Sequence, residues 1–154
     1  MLSEQTRLRI EALIRKYPVP RSALIPSLMV VQREAGFVSN EAMADLAQIF
    51  HLTPNEVLEV AGFYTMIFRK PVGKYVIWVC TNISCLLCDS DSIMAHLQKR
   101  LGAKPGETTA DGRYTLLEAE CLASCGTAPV VQINADYYEN LTVEKLDRIL
   151  DSLE

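Results

Sequence analysis

The chain has 154 residues, of which 49% are hydrophobic and 22% charged, with a formal net charge of −4 and a pI near 5.2. A chain of this length buries roughly 70% of the surface its unfolded form exposes, so it can build a core without disulfide staples. The charge balance offers no basic field of the kind that gathers nucleic acid or anionic lipid, and no apolar run approaches the ~20 residues of a membrane span.

The opening stretch MLSEQTRLRIEALIRKY mixes acidic and basic residues and does not have the plan of a signal peptide. Residues 1–70 read as a helical domain. Ile10, Leu13, Ile14 and Tyr17 recur at helical spacing up to the Pro18-Val19-Pro20 break. Ser22 is placed to cap a second helix carrying Leu24, Ile25, Leu28 and Met29, with Gly36 as its stop. Ser39 caps a third, with Met43, Leu46, Ala47 and Phe50 on one face. Thr53, Pro54 and Glu56 spell a capping box for a fourth helix running toward Tyr64.

Residues 71–154 alternate short strands with helices. Lys74 to Cys80 is β-branched and aromatic without a breaker, the pattern of a buried strand. Ser90 to Leu101 has helical spacing and stops at Gly102; Tyr114 to Glu120 and Val130 to Asn134 read as strands, with Tyr137-Tyr138 continuing a hairpin. Thr142 caps a last helix with Val143, Leu146, Ile149 and Leu150 inward. The order implies an α/β unit with a small sheet, preceded by a helical bundle.

All five cysteines fall between positions 80 and 125. In a chain without an export signal, clustered thiols more often bind metal or do redox chemistry than form structural disulfides. Cys80 and Cys85 are C-x4-C at one strand end, and Cys121 and Cys125 are C-x3-C at the next. Two such pairs let thiolates converge on one polynuclear iron centre, which wants four soft sulfurs and backbone N–H groups aimed at them. Cys80, Cys85 and Cys88 also give C-x4-C-x2-C, which with Cys121 matches plant-type ferredoxin spacing. Both sets predict a 2Fe-2S cluster and differ in whether Cys88 or Cys125 is spare. Cys125 is favoured, because a helix beginning near Asp89 would turn Cys88 away. Structural zinc is one alternative, and a dithiol oxidoreductase using Cys85-Leu-Leu-Cys88 is another. His51 and His96 lie on helices or their ends, away from the cysteines, and are read as surface or cap residues. No nucleophile and base pair is evident, and no Gly-rich phosphate loop, so the chain is expected to bind neither NADH nor a nucleotide itself.

Val79-Cys-Thr-Asn-Ile-Ser-Cys85, Glu120-Cys-Leu-Ala-Ser-Cys-Gly-Thr-Ala-Pro129, Val131 to Asn134, Gly106 to Thr109 and Gly62 to Met66 together resemble the family of E-type subunits of NADH:quinone oxidoreductase, respiratory complex I. The resemblance runs over nearly the whole chain. It implies a thioredoxin-like 2Fe-2S ferredoxin domain over 71–154, with Cys80, Cys85, Cys121 and Cys125 as ligands and no catalytic residue of its own. It also implies an FMN- and NADH-binding flavoprotein partner of the F type, further complex I subunits, and a cytoplasmic place peripheral to the inner membrane. NAD-linked formate dehydrogenases and NAD-reducing hydrogenases carry related subunits. The family usually has Gly where this chain has Ala123, commonly Asn at Thr127, and a basic residue then Gly at Cys88 and Asp89. A thioredoxin-like fold further implies a cis bond between Ala128 and Pro129.

Overall fold

A computed structural model describes residues 2–153. The chain divides into two compact units, Met1–Pro71 and Val72–Glu154.

The first unit holds four α-helices, α1 (Glu4–Ile14), α2 (Leu24–Ala35), α3 (Asn40–Phe50) and α4 (Pro54–Phe63). Local chemistry sets most of their ends. Ser3, Ser39 and Thr53 each accept a backbone N–H of the first turn, and Thr53 with Glu56 closes the capping box. Gly36 ends α2 at φ 80°, a left-handed conformation that a glycine adopts without a Cβ penalty. The apolar faces meet in one core that includes Ile10, Leu28, Val31, Leu46 and Val57. Full burial of such side chains contributes about 1.5–3 kcal/mol each.

Two expectations fail here. The first stripe does not extend to Tyr17, which is exposed; α1 stops at Ile14, and the chain leaves it through tighter bonds from Lys16 N–H to Leu13 and from Tyr17 N–H to Ile14. Pro18 lacks an N–H and disfavours helical backbone at Tyr17, so the helix ends ahead of it. Nor does Ser22 cap α2. It lies in a 3-10 turn, Pro20–Ala23, and the cap position falls on Ala23 with no side-chain hydrogen bond.

The second unit is a four-stranded mixed sheet in the order β2-β1-β3-β4, with β1 (Tyr75–Cys80), β2 (Tyr114–Ala119), β3 (Val131–Ile133) and β4 (Asp136–Tyr138). β1 is central, parallel to β2 with Cys80 opposite Ala119, and antiparallel to β3. Three helices complete the unit: α5 (Ile83–Leu87), α6 (Ser90–Leu101) and α7 (Val143–Ser152). The parallel pairing requires a crossover, which contains α6. Ile77, Leu97, Leu116, Val131 and Leu146 are buried in its core. Thr142 caps α7 by accepting the Lys145 N–H.

Asn134 closes the β3–β4 turn at φ 54° and reaches back to β1: its Oδ1 accepts the Val76 N–H at 2.9 Å and its Nδ2 donates to the Lys74 carbonyl. This is the α/β class expected from the sequence, with α5 as an unexpected addition. The Ala128–Pro129 bond is cis, as the resemblance implies. Among the described residues, no helix is long and apolar enough to cross a membrane.

Candidate metal centre

Two adjacent parallel strands deliver the cysteines. β1 ends on Cys80, and β2 ends two residues before Cys121. The loops that follow are tied together: Thr81 N–H donates to the Ala119 carbonyl at 2.9 Å, and Asn82 Nδ2 donates to the Glu120 carbonyl at 3.2 Å. Cys80 N–H in turn donates to the Val130 carbonyl, which brings the segment after the second loop alongside.

The segment between Cys80 and Cys85 is not all loop: Ile83 begins the short helix α5. That helix points Cys85 inward, so Cys80 and Cys85 are both almost fully buried and pack with Val130, Leu122 and Ala128. Cys88 is the residue that ends α5. It is exposed, and Asp89 at φ 71° then starts α6. Cys121 and Cys125 are also exposed, with Cys125 opening a 3-10 turn, Cys125–Thr127.

Cys80 responds to the thiols of Cys85 and Cys121, and Cys85 to those of Cys80 and Cys125. Burial pushes the Cys80 thiol up, but the amides of Asn82 and Leu122 and the thiols of Cys85 and Cys121 outweigh it and leave Cys80 below its ordinary value. Cys85 is pushed up to about 11 by burial and by Cys80, with Cys125 adding repulsion and the Val130 amide opposing. At the second pair, Ala123 N–H donates to Cys121 Sγ at 3.2 Å. Amides from three segments are thus directed at sulfur, the support that a negatively charged iron–sulfur site requires.

Among the described residues, no three Cys, His, Asp or Glu side chains close on a point as ligands of a single ion. A two-iron cluster takes its ligands as two pairs, one on each iron, and does not need such a point. The donor set, thiols in two pairs with amides facing them, fits that group.

Sequence reasoning missed the support behind the second pair. Glu139, just past β4, accepts hydroxyl hydrogen bonds from Ser124 and Thr127, and these hold its carboxyl below the usual range. Its only sequence signal is an acidic residue after a hairpin. Of the histidines, His51 ends α3 in the first unit, and His96 Nε2 lies 2.7 Å from Asp147 Oδ1 between α6 and α7.

A family model described as thioredoxin-like [2Fe-2S] ferredoxin matches residues 10–154. The chain belongs to that family. It is 42% identical over 146 residues to an E-type subunit, form 2, of the NADH-quinone oxidoreductase of Rhizobium meliloti, covering 95% of this chain and 87% of that one. It is 47% identical over 147 residues to the E-type subunit of the NADH-quinone oxidoreductase of Rickettsia conorii, covering 94% and 88%. Among solved structures, an air-oxidized NAD+-reducing [NiFe]-hydrogenase shares the fold with a TM-score of 0.74 at 24% identity, over 83% of this chain. This chain spans only 22% of that hydrogenase chain.

Proposed function

We propose that this chain is the 2Fe-2S electron-transfer subunit of an NADH:quinone oxidoreductase, with Cys80, Cys85, Cys121 and Cys125 as the ligands. The observation that carries the reading is the placement of two cysteine pairs at the ends of two parallel strands, on loops hydrogen-bonded to each other, with the Ala123 amide on the Cys121 sulfur. When bound, such a cluster supplies one-electron oxidation and reduction. The chain's own work is placement. Cys80 and Cys85 present sulfur from a dry, apolar wall, while Cys121 and Cys125 present it from the exposed side.

Near-full-length identity above 40% to E-type subunits of NADH-quinone oxidoreductases supports a parent enzyme of that type. In such a complex the chain would exchange single electrons with the FMN of a flavoprotein subunit that binds NADH. On this reading the chain is a subunit of an oxidoreductase, peripheral to the membrane through its partners. An NAD-reducing hydrogenase is the second reading, favoured by the shared fold.

The dithiol alternative fares worse. It leaves Cys80, Cys121 and Cys125 without a role, and one of its two thiols, Cys85, lacks the access that thiol exchange needs.

The test is elemental and spectroscopic. Protein handled anaerobically should carry two irons and two labile sulfides per chain, with a reduced EPR signal. Uptake of zinc alone after reconstitution would end the reading. Reduction of that signal by NADH in the complex, and not in the isolated chain, tests the flavoprotein partner.

A further inference from the structure

The four proposed ligands are not held equally. Cys80 and Cys85 are fixed by burial, and Cys121 follows β2 with the Ala123 amide on its sulfur. Cys125 has neither aid. It is exposed at the start of a three-residue turn and is followed by Gly126.

What surrounds Cys125 instead is a pair of hydroxyls on one carboxylate. Ser124 precedes it and Thr127 follows at two residues' distance, and both meet the same oxygen, Glu139 Oε1, the Thr127 contact at 2.7 Å. The hydroxyls also lie 2.8 Å from each other. Each hydroxyl has one proton to donate, and a carboxylate oxygen has lone pairs for both. With both protons directed at Glu139, the spacing between the hydroxyls follows from their common target; the Ser124 carbonyl, 3.1 Å from Thr127 Oγ1, is the longer alternative for the Thr127 proton. The backbone completes the attachment: Asn140 N–H donates to the Thr127 carbonyl at 2.7 Å, and Leu141 N–H donates to the Pro129 carbonyl at 3.3 Å. Lys145 Nζ in turn donates to the Glu139 carbonyl. The turn bearing Cys125 is therefore fastened to the segment between β4 and α7.

We propose that Glu139 is a positioning residue for Cys125: by gathering the Ser124 and Thr127 hydroxyls on one oxygen, its carboxylate fixes the turn that presents the Cys125 sulfur to the cluster. The proposal rests on the ligand set given above. The clamp touches no sulfur itself, and its effect passes through the loop. Loss of a group that orients a metal ligand typically costs about tenfold or more in metal retention.

The experiment compares the full chain with Glu139→Leu, Glu139→Gln and the double variant Ser124→Ala with Thr127→Val, all reconstituted anaerobically. Three readouts are taken: iron and sulfide content, the reduced EPR spectrum, and the rate of iron loss to a ferrous chelator. Glu139→Leu should shift or broaden the spectrum and speed iron loss about tenfold. Glu139→Gln keeps an oxygen that accepts both hydroxyls, so it should restore the parent spectrum. The double variant leaves Glu139 in place, removes both donors and should behave like Glu139→Leu; it carries the test if the leucine variant does not fold. A parent-like spectrum and loss rate in the folded leucine variant, or in the double variant, overturns the proposal. A glutamine variant that matches leucine overturns the geometric account as well. Failure of the ligand set is read on other samples: no two-iron cluster in the parent chain, or an unchanged cluster in Cys125→Ser, sinks that reading and this proposal with it.

Discussion

Ala123 donates its backbone N–H to the Cys121 sulfur across 3.2 Å while held at φ 57°, in the left-handed region that L side chains avoid. The contact and the strain are coupled, because the turn that aims the amide at sulfur is the turn that crowds the Ala123 Cβ. Left-handed backbone costs an L-residue roughly 1–2 kcal/mol, and a glycine gives back part of that gain through its freer unfolded chain.

Ala123→Gly should therefore stabilise the chain by about 0.5–1 kcal/mol, raising the melting temperature by about 2 °C. The N–H to sulfur contact should survive, so iron and sulfide content should not fall. A lower melting temperature for the glycine variant would show that the loop is not strained at this residue.

Serine at Cys80, Cys85, Cys121 or Cys125 puts a hard oxygen where a soft thiolate is required, and each should abolish or strongly alter the reduced EPR spectrum. Cys88→Ser should leave it nearly intact, because Cys88 ends α5 and the thiols that reach Cys80 and Cys85 from elsewhere in the chain are those of Cys121 and Cys125. An unaltered Cys125→Ser spectrum beside a lost cluster in Cys88→Ser would instead establish the plant-type set.

Features whose cause lies within a few residues were legible in the sequence. The caps at Ser39, Thr53 and Thr142 and the stops at Gly36 and Gly102 are local hydrogen-bond and φ requirements, and each stands where the residues placed it. The placing of two cysteine pairs at adjacent strand ends was legible because spacing along the chain is also local. The short helix α5 was not: Ile83–Leu87 is too short to show a period, and no side chain caps it. Ser22 has the chemistry of a cap, but Pro20 starts a 3-10 turn that carries the helix start past it. Glu139 lay beyond reach because the hairpin β3–β4 folds it back onto Thr127, 12 residues earlier, and nothing local to either residue announces the contact.

Gly73 precedes β1 where the chain runs against β2. A Cβ there would stand 2.6 Å from the carbonyl carbon of Tyr114 and 2.8 Å from its nitrogen. These are backbone atoms of a paired strand and cannot rotate away, so relief must come from moving Gly73 and loosening its N–H from Thr115 Oγ1, now at 2.6 Å. Gly73→Ala should cost about 1–3 kcal/mol, the range of overpacking, read as a lower urea midpoint with unchanged slope. An unshifted midpoint would mean that the approach to β2 relaxes freely.

Asp147 on α7 joins that helix to α6. His96 hydrogen-bonds its carboxylate, and Arg100 pairs with it. The His96 contact holds the Asp147 carboxyl below its ordinary value against the opposing effect of burial, with Arg100 adding to it. A carboxyl with a lower pKa when folded binds fewer protons folded than unfolded, so it adds stability above the unfolded value of about 3.9 and loses it as the pH falls through the folded one. Asp147→Asn removes this contribution with little change of shape. The asparagine variant should be less stable than the parent at pH 7, and the gap should close as the pH drops below ~4, where the parent carboxyl is itself protonated. Urea unfolding of the cluster-free chain at a series of pH values measures it without interference from acid loss of iron. Because the contact is near the surface, added salt should also narrow the gap at neutral pH. A gap that stays constant down to pH 3 would assign the loss to packing instead of charge.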